Sequence, residues 1–147
     1  MKNSKLLLAL SILLFSAAAR AQADTDVLTW YFSLAQGTPK LNAENQLVIS
    51  VDIKPGYILY ASGFSEKSVG PIPTQIRFSA KDGFQVAEPL RSIHPQAIQD
   101  EGFGLAYQFF SEQAEFRQCF FLNRPNIVLR GAIVGKYVHQ ASGKEFP

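Results

Sequence analysis

Of the chain's 147 residues, about 124 remain once an N-terminal export segment is set aside, enough for one domain with its own core. The formal charge of +2 belongs to that segment: without Lys2, Lys5 and Arg20, 11 basic residues face 12 acidic ones, which excludes the basic stripe that a nucleic acid would need. Cys119 is the only cysteine, so no internal disulfide can form and packing must hold the fold.

Residues 1–23, MKNSKLLLALSILLFSAAARAQA, begin with Lys2 and Lys5 and continue through an apolar run from Leu6 to Ala19. They end in two small-x-small triplets, Ala19-Arg20-Ala21 and Ala21-Gln22-Ala23. This is the pattern of a cleavable secretory signal. The apolar run is shorter than the roughly 20 residues that span a bilayer, and no later stretch approaches it, so the mature chain, residues 24–147, is expected to be soluble and without a membrane span. A lipid anchor would require a cysteine just after the cleavage site, and Cys119 lies far downstream.

Beyond the signal the apolar period is two. Leu28, Trp30, Phe32 and Leu34 alternate with Val27, Thr29, Tyr31 and Ser33, and Leu47, Ile49, Val51 and Ile53 share a face, so both segments read as strands. Pro55-Gly56 interrupts, YILY resumes the pattern, and a long loop runs to Pro73 before TQIRFSA. After the turn signal Lys81-Asp82-Gly83 comes a short FQV, then an irregular stretch from Ala87 to about Gly104. LAYQFF, EFRQCFFL and IVLRGAIV follow as strands, and no segment carries a helical stripe. Short strands with Gly, Pro and Asp punctuation, and 12% aromatic residues to fill the space between sheets, predict an all-β, antiparallel, immunoglobulin-like β-sandwich in a single domain; a closed barrel is the alternative.

Candidate chemistry is sparse. His94 and His139 lack a second ligand at metal spacing, so no metal or cofactor is expected, and Asp100 and Glu101, as neighbours on an extended chain, point apart. No nucleophile elbow, phosphate loop or HExxH motif is present. Tyr57, Tyr60 and Phe64 flank the loop that begins at Pro55 and read first as core aromatics. Phe103 sits between two glycines and reads as a side chain held in a local pocket or over a surface site. The alternation in AEFRQCFFL places Cys119 with Glu115 and Arg117 on the more polar face, where it reads as a half-buried strand residue; partial access, and a thiolate favoured by Arg117, are the competing expectation.

In order along the chain, VLTWYFSL, ISVDIKPGYILYAS, GPIPTQIRF, IQDEGFGLAYQFF, AEFRQCFFLN and LRGAIVGKYV resemble the periplasmic N-terminal domain of the DsbD thiol:disulfide interchange family. The resemblance covers nearly all of the mature chain. It is carried by the turn at Pro55, Gly56, Tyr57 and Tyr60, the segment Gly70-Pro71-Ile72-Pro73-Thr74, and the loop Asp100, Glu101, Gly102, Phe103, Gly104. It implies an immunoglobulin-like periplasmic module that passes electrons to oxidised partners through a cysteine pair near its end, shielded by an aromatic cap loop. Phe103 would be the shield here.

The corresponding tail, GKYVHQASGKEFP, has no cysteine. The positions matching the pair fall among Val138, Gln140, Lys144 and Phe146, none of which can form a thiolate or mixed disulfide. The family domain continues into a closing strand where this sequence stops. The expectation is therefore an exported, redox-inactive module, leaning away from an enzyme, that binds a periplasmic or envelope protein or a ligand. Its contact surface would combine the cap-like loop with Tyr57, Tyr60, Phe64, Gly70, Pro71 and Pro73. The alternatives are thiol–disulfide exchange through Cys119, a cysteine-bearing partner or a C-terminal continuation, and a structural role in the envelope; secretion is the alternative to a periplasmic location.

Overall fold

A computed structural model describes residues 26–64, 70–79, 83–100 and 105–147. The signal segment lies outside these residues. The described chain forms twelve strands: β1 (Leu28–Leu34), β2 (Glu44–Ile53), β3 (Tyr57–Tyr60), β4 (Gln75–Phe78), β5 (Phe84–Val86), β6 (Arg91–Ser92), β7 (Gln96–Asp100), β8 (Leu105–Ser111), β9 (Gln113–Leu122), β10 (Gly131–Val134), β11 (Tyr137–His139) and β12 (Lys144–Phe146). One sheet runs β1-β2-β9-β5, with β6 also against β9. A second runs β12-β11-β3-β8-β7, and β10 pairs with β4 in a third. Every strand pairing is antiparallel. Both larger sheets end in terminal strands, so neither closes into a barrel among the described residues.

The period-two pattern explains how the sheets stack. Ile49, Val51 and Ile53 of β2 and Ala114 and Phe116 of β9 turn inward from one sheet, and they meet Leu59 of β3 and Phe110 of β8 from the other. Phe110 and Phe116 pack edge to face across the layers at 5.3 Å. Each side chain of this size that leaves water contributes about 1.5–3 kcal/mol, and this shared core makes the fold an all-β, sandwich-like one.

One of the chain's passages between the sheets, from β8 to β9, turns on a single residue. β8 ends at Ser111 in the second sheet and β9 begins at Gln113 in the first. Between them Glu112 takes φ +70°, and its carbonyl accepts a hydrogen bond from the Ile53 amide at 2.7 Å.

At the other end of β2, Asn45 is fully buried and acts as an internal tie. Its Oδ1 accepts from the Lys40 amide at 2.7 Å and from Gln36 Nε2 at 2.9 Å. Its Nδ2 donates to the carbonyls of Lys40 at 2.8 Å and Ala43 at 2.9 Å, so the β1–β2 connection folds around one side chain.

The stretch from Ala87 to Gly104, expected to be irregular, contains β6 and β7. β7 is a terminal strand paired only to β8, and Gln96 to Gln99 are all exposed, so it needed no apolar alternation to form. The tail, too, is ordered, as the β11–β12 hairpin, with Tyr137 opposite Phe146 and His139 opposite Lys144.

Candidate functional site

Cys119 is buried at 7% exposure, which corrects the expectation of partial access. Its strand neighbours cover it. Gln46 lies directly opposite on β2 and directs Nε2 at Cys119 Sγ from 3.6 Å, while the Ala87 amide donates to the Cys119 carbonyl at 3.0 Å from the other side. Arg117 is engaged elsewhere, paired with Glu115 at 2.7 Å. The Gln46 side chain thus lies over the polar face of β9 at this position, and alternation alone could not reveal that cover.

The expected aromatic surface divides in two. Strand alternation sends Tyr57 to one side of β3, where its ring packs 4.9 Å from His139 and 6.0 Å from Tyr137. Tyr60 points to the opposite side, against Tyr107 at 5.7 Å and Phe64 at 6.4 Å. Tyr60 is 6% exposed, and Pro71 and Pro73 are buried as well, so these three residues support the loop and cannot present a contact face. Tyr57, Phe64 and Gly70 are half-buried.

Asp100 ends β7; Glu101, Gly102, Phe103 and Gly104 of the cap-like loop lie outside the described residues. The strand that follows the loop, β8, brings Tyr107 and Phe109 to a small cluster with Ile58, Tyr60 and Val138. Val138, one of the tail positions matched to the redox pair, is therefore packed into an apolar cluster at 8% exposure. Phe146, another, stacks on Tyr137 with ring centres 5.1 Å apart, and Lys144 Nζ lies 5.1 Å from the Phe146 ring centre. Ion pairing between Lys136 and Glu145 at 2.6 Å, with the Tyr60 hydroxyl 3.4 Å from Glu145, pins this hairpin to β3.

A cleft of about 590 Å³ opens along the side of the sandwich, with Leu28, Trp30 and Phe32 on one wall and Gly131, Ile133 and Gly135 on the other. Leu59 lies at its floor, so the gap reaches the main core. Backbone direction gives this cleft its character. Ala35 N–H bonds to Gln46, and Val27 carbonyl accepts from Lys54, which turns odd-numbered residues of β1 toward β2 and leaves Leu28, Trp30 and Phe32 facing away. Arg130 carbonyl accepts from Ser79, so by the same alternation Gly131 and Ile133 face away from β4. Two strand edges with unpaired backbone groups, among the described residues, thus open on one apolar cleft. Phe32, on the same face as Leu28 and Trp30, is 59% exposed at its rim, because β1 is a terminal strand with no neighbour on that side to cover it.

The cleft was missed by sequence reasoning. Its one signal was the absence of charge and proline from LTWYFSL, since strands at sheet edges usually carry such residues to block pairing. Beside the cleft, Tyr31 is 53% exposed on the other face of β1. Its hydrogen bond to Asp52, with that carboxylate's charge, raises its pKa above the usual tyrosine value.

Among the described residues no helix is long and apolar enough to cross a membrane, and no three His, Cys, Asp or Glu side chains gather as a metal site would require. Comparison with family models, with curated proteins and with solved structures found no match.

Proposed function

We propose that the chain is an exported, periplasmic module of the DsbD N-terminal type, immunoglobulin-like in fold, that binds a protein partner and carries out no dithiol exchange through its own residues. The observation that carries the binding reading is the open cleft beside β1, where core side chains and unpaired strand edges meet solvent together. Large apolar surface left open beside unsatisfied backbone is costly unless something occupies it, and a polypeptide supplies both kinds of contact. The redox part rests on chemistry. Exchange needs an accessible thiolate, and the one thiol in this sequence is buried mid-strand, while none of Val138, Gln140, Lys144 and Phe146, among which the matching tail positions fall, is a cysteine.

Two measurements test the reading. A photo-crosslinking amino acid at Phe32, in the exported protein, should give a discrete protein adduct that the same probe at Ser50, on the far side of β2, does not give. Equal adducts at both positions, or none at Phe32, would remove the binding surface. Cys119 should resist a thiol-alkylating reagent until the protein is unfolded, and the native protein should not reduce disulfides. Rapid native labelling with disulfide reduction lost in Cys119→Ser would establish thiol chemistry instead.

A further inference from the structure

We infer that the cleft takes one extended segment of a partner polypeptide, which adds as a strand along β10 in line with β12; this rests on the binding reading above. The edge in question is already half filled. β12 runs antiparallel to β11 in the register Tyr137 with Phe146 and His139 with Lys144. Past Gly135 the same edge continues to Ile133 and Gly131, whose outward backbone groups have no strand against them among the described residues. An added strand there continues an existing antiparallel ladder, so its register is set by β12.

The walls specify the occupant's chemistry. Residues directly opposite one another in an antiparallel pair share a face. Gly131 and Gly135 have no side chain, so the residues opposite them have room to be large, while the residue opposite Ile133 must be smaller. A Cβ at Gly131 would lie 2.7 Å from the Arg77 carbonyl oxygen and one at Gly135 2.9 Å from Thr74 Oγ1, so close packing against β4 and its lead-in keeps both positions bare. Among the described residues the cleft holds two charged side chains, Asp26 and Lys136, and Lys136 is paired with Glu145. Charge complementarity therefore selects a segment that is uncharged at its centre, with large, small and large apolar residues at alternate positions and its only charges, preferably basic, at the ends. A second copy of this chain offers no such free segment among its described residues.

Trp30 is the only tryptophan and lines the cleft, so it reports occupancy directly. The probe is the synthetic peptide Ac-Lys-Thr-Phe-Thr-Val-Thr-Phe-Thr-Lys-amide, titrated into the mature protein. Binding should shift Trp30 emission to shorter wavelength, and Phe32→Ser, at an exposed rim position, should weaken it severalfold without changing the melting temperature. N-methylation of the central Val amide removes a ladder hydrogen bond and should weaken binding about tenfold or more, whereas N-methylation of the next Thr amide, which faces away from β10, should have little effect. Equal effects of the two methylations, no shift of Trp30, or a concentration-dependent dimer that buries Trp30 would each overturn strand addition. Should the Phe32 crosslink persist while the two methylated peptides bind alike, the binding module stands and strand addition falls.

Discussion

Single residues carry much of the specificity of this fold. Asn45 is the clearest case, since its amide satisfies two donors and two acceptors while fully buried. Asn45→Ala removes four hydrogen bonds and leaves a void at a fully buried position, and should cost about 3 kcal/mol, which lowers the melting temperature by about 10 °C in calorimetry. A loss under about 1 kcal/mol would mean that water replaces the amide. Tyr31 makes a pH-dependent contribution of the opposite kind. Its raised pKa means that the bond to Asp52 is fully present below the unfolded tyrosine pKa of about 10 and is lost as pH rises through the folded value. Asp52→Asn should bring the Tyr31 titration, followed by ultraviolet difference absorbance, back toward the ordinary range; an unchanged midpoint would remove Asp52 as the cause.

At the scale of elements, Glu112 is one joint between the two layers, linking β8 to β9. Its φ of +70° is unfavourable for a residue with a Cβ, by about 1–2 kcal/mol, and tighter still for a β-branched one. Glu112→Gly should therefore raise stability by about 1 kcal/mol in denaturant unfolding, and Glu112→Val should lower it by at least as much. The opposite order would show that the corner is not strained.

Elements also show how much could be read in advance. The β2 and β9 alternations identified their buried faces correctly, down to Ile49, Val51, Phe116 and Phe120, because both strands lie inside a sheet with one face in the core. Alternation was silent on the exposure of Phe32 and missed β7, since edge strands lack the neighbour that makes the pattern meaningful. Cys119 was assigned to the right face and is more buried than the half-buried position expected, because Gln46, which contacts its sulfur, is distant in sequence. The divided aromatic site has the same origin. Tyr57 and Tyr60 are three residues apart on a strand and so cannot share a face, which their spacing already implied.

The molecule as a whole is a sandwich-like body that, among the described residues, is open on the side beside β1. Its physical distinctiveness lies in two strand edges and a core that reach solvent through the same cleft. The central claim, that binding completes this side through backbone pairing, is tested most directly by amide hydrogen exchange on the mature protein, alone and with the nine-residue peptide. In the free protein the amides of Ala132 and Val134, bonded to β4, should exchange slowly and those of Gly131 and Ile133 quickly. On peptide addition Gly131 and Ile133 should become protected by at least tenfold, with Ala132 and Val134 little changed. Protection of Gly131 and Ile133 in the free protein, or no gain when the peptide binds, would contradict the account.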